Sequence, residues 1–448
     1  MRKKNLYIET YGCQMNFSDS EIVASVLKDE YQVIEQFQNA DLILINTCSI
    51  RDNAEQRVLK RLSELNTWKK KNPQLRIGMI GCMAERMKDD LFKTGKVDLV
   101  VGPDAYRDLP SILNEESDFP MNVLLSEIET YDDIEPIRYD TNGISAFISI
   151  MRGCNNFCAY CVVPYTRGRE RSRNPKTIIA EAEKLFSDGY REVTLLGQNV
   201  NSFNHNGFNF ANLMEAAAKI NPLLRIRFAT SHPKDLSDEL LAVMTRYPNI
   251  CKSIHLPAQS GSNKILQLMN RKYTREGYLN RIEHIRRYMP DCAISTDLIA
   301  GFSTETEEDH ADTLSLMRTV GFDYAFMFKY SLREGTAAHK NLEDDVPEEV
   351  KTQRLEDIIA LQQELSHRSN KADVGKSFEV LIEGTSKRSP DNFYGRNSQN
   401  KVVVFPKKDR KIGEYVKIQI KKCTSATLIG EIMGNTKIAF LEVPLSIF

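Results

Sequence analysis

The sequence predicts an α/β protein in three parts: an N-terminal parallel α/β domain, a partial (β/α)6 barrel and a small C-terminal β-barrel. Three observations carry this. Up to about Leu109, continuous apolar runs alternate with amphipathic stretches, the pattern of a parallel sheet buried on both faces. From Ile144, strand-like runs recur, each followed by a polar cluster, with helical stretches between. From Gly375, short, evenly spaced strands with Gly and polar turns read as a small barrel. A chain of 448 residues accommodates two to four domains and a core of normal size. The boundaries expected are 1–120, a linker over 121–143, then 144–371 and 374–440.

In the first part the apolar runs are Leu6-Tyr7-Ile8-Glu9-Thr10, Asp41-Leu42-Ile43-Leu44-Ile45-Asn46, Arg76-Ile77-Gly78-Met79-Ile80 and Val97-Asp98-Leu99-Val100-Val101. Helical stretches cover 18–28 and about 52–72. Cys13, Cys48 and Cys82 each follow one of the first three runs. Strand ends of an open parallel sheet converge on one edge, where ligands bind. Three cysteines about 35 residues apart thus meet in one three-thiol site, unless they are unrelated buried cysteines. The acidic stretch 126–140, with Glu127, Glu129, Asp132, Asp133, Glu135 and Asp140, reads as a linker.

The barrel strands expected are 146–150, 192–196, 225–229, 252–256, 293–298 and 324–328, and the polar helix 348–371 closes the domain. Barrel chemistry sits at C-terminal strand ends. There lie Gly197-Gln198-Asn199, Thr230-Ser231-His232, Pro257-Ala258-Gln259-Ser260-Gly261 and Gly301. The first strand delivers Arg152-Gly153-Cys154-Asn155-Asn156-Phe157-Cys158-Ala159-Tyr160-Cys161. Three thiolates in this C-x3-C-x2-C run can hold three irons of a four-iron cluster. No fourth cysteine follows nearby, and clusters that only transfer electrons are normally fully ligated. An open position is what catalytic metal sites keep for substrate or cofactor. The alternatives are an incomplete zinc site or thiols with no shared role.

Nine cysteines is an odd number, and Met1-Arg2-Lys3-Lys4 is not followed by an apolar signal segment. No apolar run approaches the roughly 18 residues of a membrane span. The expectation is a soluble cytoplasmic protein with no membrane partner, whose cysteines serve metal or catalysis rather than disulfides. Cys251 and Cys292, placed within strands, and Cys423 are given no ligand role. Net charge is −1 overall, but the segment from Val374 to Phe448 carries 13 Lys and Arg against 7 Asp and Glu, a net of +6. Phe393-Tyr394-Gly395-Arg396-Asn397 adds aromatics and a cation in a loop, so Tyr394 and Arg396 are candidate RNA contacts. A purely structural barrel is the alternative.

These motifs together resemble the radical SAM methylthiotransferase family over nearly the whole chain, and within it the MiaB-type tRNA branch. The carrying residues are Tyr11-Gly12-Cys13-Gln14-Met15-Asn16, Asn46-Thr47-Cys48-Ser49-Ile50-Arg51 and Gly81-Cys82-Met83-Ala84-Glu85. With them go 154–173, from the cysteine run through Arg173, and Gly197-Gln198-Asn199-Val200-Asn201-Ser202. The resemblance implies a C-terminal TRAM domain, two 4Fe-4S clusters and S-adenosyl-L-methionine (SAM), two molecules per turnover. It implies methylthiolation at C2 of N6-isopentenyladenosine in a tRNA anticodon stem-loop. Cys154, Cys158 and Cys161 would hold the SAM-cleaving cluster; Cys13, Cys48 and Cys82 would hold an auxiliary cluster carrying the sulfur to be inserted. An electron donor such as flavodoxin or ferredoxin and a sulfur or cluster-assembly donor are further partners. Two alternatives stay open: the same chemistry on a ribosomal protein side chain, and a non-catalytic zinc- and RNA-binding protein.

Arg167, Arg169, Arg171 and Arg173 follow the first cluster loop and are expected to grip RNA phosphates or stack on bases, salt bridges to local carboxylates being the alternative. Gln198, Gln259 and Asp297 are the candidates to hold SAM, from their barrel positions.

Overall fold

A computed structural model of the chain describes residues 2–48, 52–114, 121–139 and 142–433. The N-terminal domain is a six-stranded sheet in the order Tyr31–Val33, Lys4–Tyr11, Leu42–Thr47, Arg76–Ile80, Leu99–Val101, Met121–Asn122. All five pairings are parallel. The central strand Leu42–Thr47 is buried at every position because both sheet faces are covered. Leu42 and Leu44 pack with Ile22 and Val23 of helix Gln14–Val26 and with Leu27 just after it. Ile43 and Ile45 point the other way, onto Val58, Leu62 and Leu65 of helix Asp52–Lys69. Each fully buried aliphatic side chain contributes about 1.5–3 kcal/mol.

The acidic stretch is not a loose tether. Arg107 pairs with Glu129 at 2.6 Å and also with Asp133. Tyr131 is buried; its hydroxyl donates to the Pro103 carbonyl at 2.9 Å and its ring stacks on Tyr106. Arg138 then joins Glu21 of the first domain to Glu181 of the barrel helix Pro175–Ser187. The acidic composition read as a linker; Arg107, from outside the stretch, anchors Glu129 and Asp133, and Arg138, from within it, reaches carboxylates of both neighbouring domains.

Six parallel strands make the partial barrel, in two runs: Arg225–Phe228, Glu192–Leu196, Ser145–Ser149, and Ser253–His255, Ala293–Ala300, Tyr324–Lys329. A parallel bridge from Ile226 to Ile250 joins the runs. The interior is one continuous core, including Ile148, Leu195, Ile226, Ile254, Ile294 and Leu298. Helix Glu348–Lys371 closes the last strands, Gln362 donating to the Phe322 carbonyl. Cys251 and Cys292 are buried just before strands rather than within them.

The C-terminal part is a closed five-stranded barrel. Residues 393–397, expected as a loop, form the strand Asn392–Asn397 between Ser377–Thr385 and Val402–Pro406. Turn-forming residue types misled the sequence reading. Gly395 is there because a Cβ would overlap the Leu381 carbonyl oxygen across the strand pair. This barrel docks on the strand-start end of the large barrel. Arg225 and Arg227 donate to the carbonyls of Arg396 and Asn397 at 2.7 and 2.8 Å, and the Tyr415 hydroxyl donates to the Leu223 carbonyl.

Candidate functional site

Three adjacent strands, Lys4–Tyr11, Leu42–Thr47 and Arg76–Ile80, end side by side, which puts Cys13, Cys48 and Cys82 on one edge as expected. The residues around them knit the three loops together. Gly12, at φ +140°, would place a Cβ 2.6 Å from the Cys48 Cβ. Asn16 accepts from the Cys13 thiol at 3.2 Å and donates to Asn46 at 2.9 Å; Asn46 returns a bond to the Asn16 carbonyl at 2.8 Å. A side chain at Gly81 would overlap the Asn46 amide oxygen. The Cys48 thiol donates to Cys13 and the Arg167 guanidinium lies nearby; together they outweigh burial and pull the Cys13 thiol down to about 6. Burial pushes the Cys82 thiol up, against the pull of Arg167, whose Nε donates to its sulfur at 3.1 Å.

The second triad sits on the loop after the first barrel strand. Gly153, at φ +76°, passes so close to the Arg169 carbonyl oxygen that a Cβ would overlap it. The loop returns as a short antiparallel pair, Met151–Arg152 with Arg171–Ser172. Within it the Cys161 amide donates to the Cys158 carbonyl and the Asn156 amide to the Cys154 sulfur. Burial, then the neighbouring Cys158 and Cys154, push the Cys161 thiol up to about 12. The three sulfurs lie near enough for their charges to act on one another, with Cys158 buried and Cys154 and Cys161 half-buried. Arg271, buried, donates to the Cys158 sulfur at 3.2 Å and to the Pro257 carbonyl at 3.0 Å. Among the described residues, no three metal-ligating side chains converge closely enough for a single ion. A four-iron cube spaces its thiolates wider than one ion does, and a three-thiol donor set with a nearby guanidinium donor fits it at both places.

The strand-end rim is rich in buried polar atoms without protein partners: Gln198 Oε1, Asn199 Oδ1, both amide atoms of Asn201, Ser231 Oγ and His232 Nε2. Such atoms cost about 1–3 kcal/mol each unless a ligand or water satisfies them. Burial, then Arg271 and Lys234, push His232 down to about 2, so it is a neutral donor or acceptor. Gln259 lies on this rim at φ +69°, bridging by its backbone to Asp297 and Ile299. The Asp297 carboxylate lies 3.4 Å from His255.

The arginine segment requires a correction. Arg167, Arg171 and Arg173 are buried and ion-paired, so they present no guanidinium to RNA. Arg167 pairs with Asp19 at 2.6 Å, Arg171 with Asp104 at 3.0 Å and Arg173 with Glu181 at 2.5 Å. Asp19 and Asp104 come from distant segments and Glu181 from the following helix; none of the three is Glu170. Arg169 alone of the four is exposed, stacked over Phe157 at 4.6 Å. Arg396 pairs with buried Glu383 at 2.8 Å, so its charge is already answered, while Tyr394 is half-buried against Gly384. Sequence reasoning missed Asp19, Asp104 and Arg271. Asp19 lies on a polar-looking helix and Arg271 between Asn270 and Lys272, so neither carried a signal of burial.

Residues 5–102 match the family described as "Uncharacterized protein family UPF0004", 148–317 the radical SAM superfamily and 371–433 the TRAM domain. Among solved structures, a radical S-adenosylmethionine methyltransferase from Kitasatospora setae shares the fold, with a TM-score of 0.58 at 12% identity over 75% of each chain. The tRNA-2-methylthio-N(6)-dimethylallyladenosine synthase of Bacteroides fragilis is 56% identical over 96% of this chain and 95% of its own length. Those of Porphyromonas gingivalis and Chloroherpeton thalassium are each 55% identical over 96% of both chains. With such identity along nearly its entire length, the chain belongs to the tRNA-2-methylthio-N(6)-dimethylallyladenosine synthase family of radical SAM enzymes.

Proposed function

We propose that this enzyme, a radical SAM tRNA methylthiotransferase, uses Cys154, Cys158 and Cys161 to hold the SAM-cleaving cluster and Cys13, Cys48 and Cys82 to hold the auxiliary one. Its reaction is the conversion of N6-isopentenyladenosine, beside the tRNA anticodon, to the 2-methylthio form. When bound, the cofactors supply the hard chemistry: a carbon-centred radical from SAM at one centre and a sulfur for insertion at the other.

The chain's own residues bind and orient. Gln198, Asn201, Ser231 and His232 offer the rim polar atoms that a nucleoside or amino-acid moiety would satisfy, and Gln259 and Asp297 stand beside them. Neutral His232 adds no charge to repel the SAM sulfonium. An anticodon-loop base leaves its stack at low cost to reach the rim. Arg169 and Tyr394 are the RNA contacts we retain. The division into 1–120, 121–143, 144–371 and 374–440 belongs to the same proposal; within it, residues 1, 49–51, 115–120, 140–141 and 434–440 lie outside the described residues. A low-potential electron donor such as flavodoxin or ferredoxin, and a sulfur or cluster-assembly donor, complete the partners. Among the described residues no helix is long and apolar enough to cross a membrane, and we place the enzyme in the cytoplasm.

The observation that carries this reading is the pair of three-thiol sites, one at each domain's strand-end edge. It is tested by separating them. Replacing Cys154, Cys158 and Cys161 by Ala should abolish SAM cleavage and leave about four irons. Replacing Cys13, Cys48 and Cys82 should keep reductive SAM cleavage and stop methylthiolation. Methylthiolation that survives the second set of changes sinks the assignment.

A further inference from the structure

We propose that Arg167, a side chain of the barrel domain, is a positioning residue for the auxiliary centre held by the N-terminal domain, and sets its redox potential. This rests on reading Cys13, Cys48 and Cys82 as cluster ligands. The geometry is specific. Arg167 caps the C-terminus of the short helix Val163–Thr166, which begins two residues after Cys161, so the loop of one triad carries it. Its Nε donates to the Cys82 sulfur at 3.1 Å and its Nη2 to Asp19 at 2.6 Å. Asp19 also receives Arg152 Nη1 at 2.8 Å, and Arg152 lies two residues before Cys154. Both sides of the first cluster loop are thus fastened to the helix that begins after Cys13. The remaining nitrogen, Nη1, is buried without a protein partner, a donor left over beside a sulfur site.

A hydrogen bond and a positive charge at a ligand thiolate withdraw electron density from the iron. They stabilise the reduced cluster and raise its potential. Arg271 makes the equivalent bond to Cys158, but from within the barrel domain. Arg167 differs in crossing between domains. It fixes the spacing of the two centres and tunes one of them from the other's loop. A guanidinium fork serves both Cys82 and Asp19; an ammonium does so only as a point charge.

The test uses the full chain with Cys154, Cys158 and Cys161 changed to Ala, so that one cluster reports. Its potential is followed by anaerobic EPR-monitored titration, with iron content and thermal unfolding measured alongside. R167Q should move the midpoint to a more negative value, R167K should move it less, and R271Q should leave it in place. A folded, iron-loaded R167Q titrating at the parental potential overturns the proposal, as does an equal shift in R271Q. If R167Q does not load iron, R167K decides: a shift to a more negative midpoint supports the proposal and an unmoved midpoint overturns it. A parent chain that binds no iron on Cys13, Cys48 and Cys82 refutes the cluster reading instead.

Discussion

Replacing Asp19 with Ala is the most incisive probe of how the first two domains are joined. The carboxylate is fully buried and accepts from Arg152 at 2.8 Å and Arg167 at 2.6 Å. Burial opposes its charge, yet the two guanidiniums hold its carboxyl below the ordinary range. Without it, Arg152 keeps the Pro103 carbonyl at 2.8 Å and Asp104 at 3.4 Å. Arg167 keeps only Cys82, with Nη1 already unpartnered, so two of its three nitrogens are buried unsatisfied. Breaking a buried pair by removing one partner costs about 3–5 kcal/mol. At about 2–4 °C per kcal/mol, the first thermal transition should fall by roughly 10 °C. The assay is differential scanning calorimetry at matched iron content, with Arg152→Met alone and with the double variant. The cycle should show non-additivity of about 1–3 kcal/mol. An Asp19→Ala protein within about 1 kcal/mol of the wild type, or strictly additive changes, would refute the account of this ionic joint.

Gly153→Ala should prevent the cysteine loop from closing, because the residue needs a positive φ and its new Cβ would strike the Arg169 carbonyl; loss of the first cluster's EPR signal, with the auxiliary one retained, checks this. Arg169→Glu should weaken tRNA binding and flatten its salt dependence by about one phosphate contact, whereas Arg173→Gln should lower stability by about 2–4 kcal/mol and leave the salt slope alone; filter binding across salt concentrations separates the two. Burial lifts the Glu305 carboxyl to about 7, so between about pH 4.5 and 7 the folded chain binds more protons at this site than the unfolded one. Its contribution to stability is therefore fully present below that window and lost as pH rises through it, by on the order of 3 kcal/mol. Glu305→Gln should flatten that slope in urea titrations, and an unchanged slope would contradict the assignment.

The backbone plan was legible because it rests on local signals. Period and apolar run length placed the large-barrel strands and the three adjacent strand ends beside which Cys13, Cys48 and Cys82 lie. Charge pairing was not legible, since it depends on which segments meet. Arg167, Arg171 and Arg173 looked like an RNA-gripping run because their partners, Asp19, Asp104 and Glu181, lie distant in sequence or on another element. Tyr131 and Arg138 show the same limit: an acidic, linker-like stretch is fixed by contacts that only the tertiary structure supplies. The strand Asn392–Asn397 was hidden by residue types that favour turns, and only its two neighbours in a closed barrel make it a strand.

The small barrel grips the large one where the strands begin, while both thiol triads lie where strands end. A strand such as Glu192–Leu196 is five residues long, or about 17 Å. One RNA molecule that touches the small barrel and also delivers a base to the rim must reach along the side of the large barrel over at least that length. An RNA whose stem behind the loop is shorter than that length cannot touch both at once.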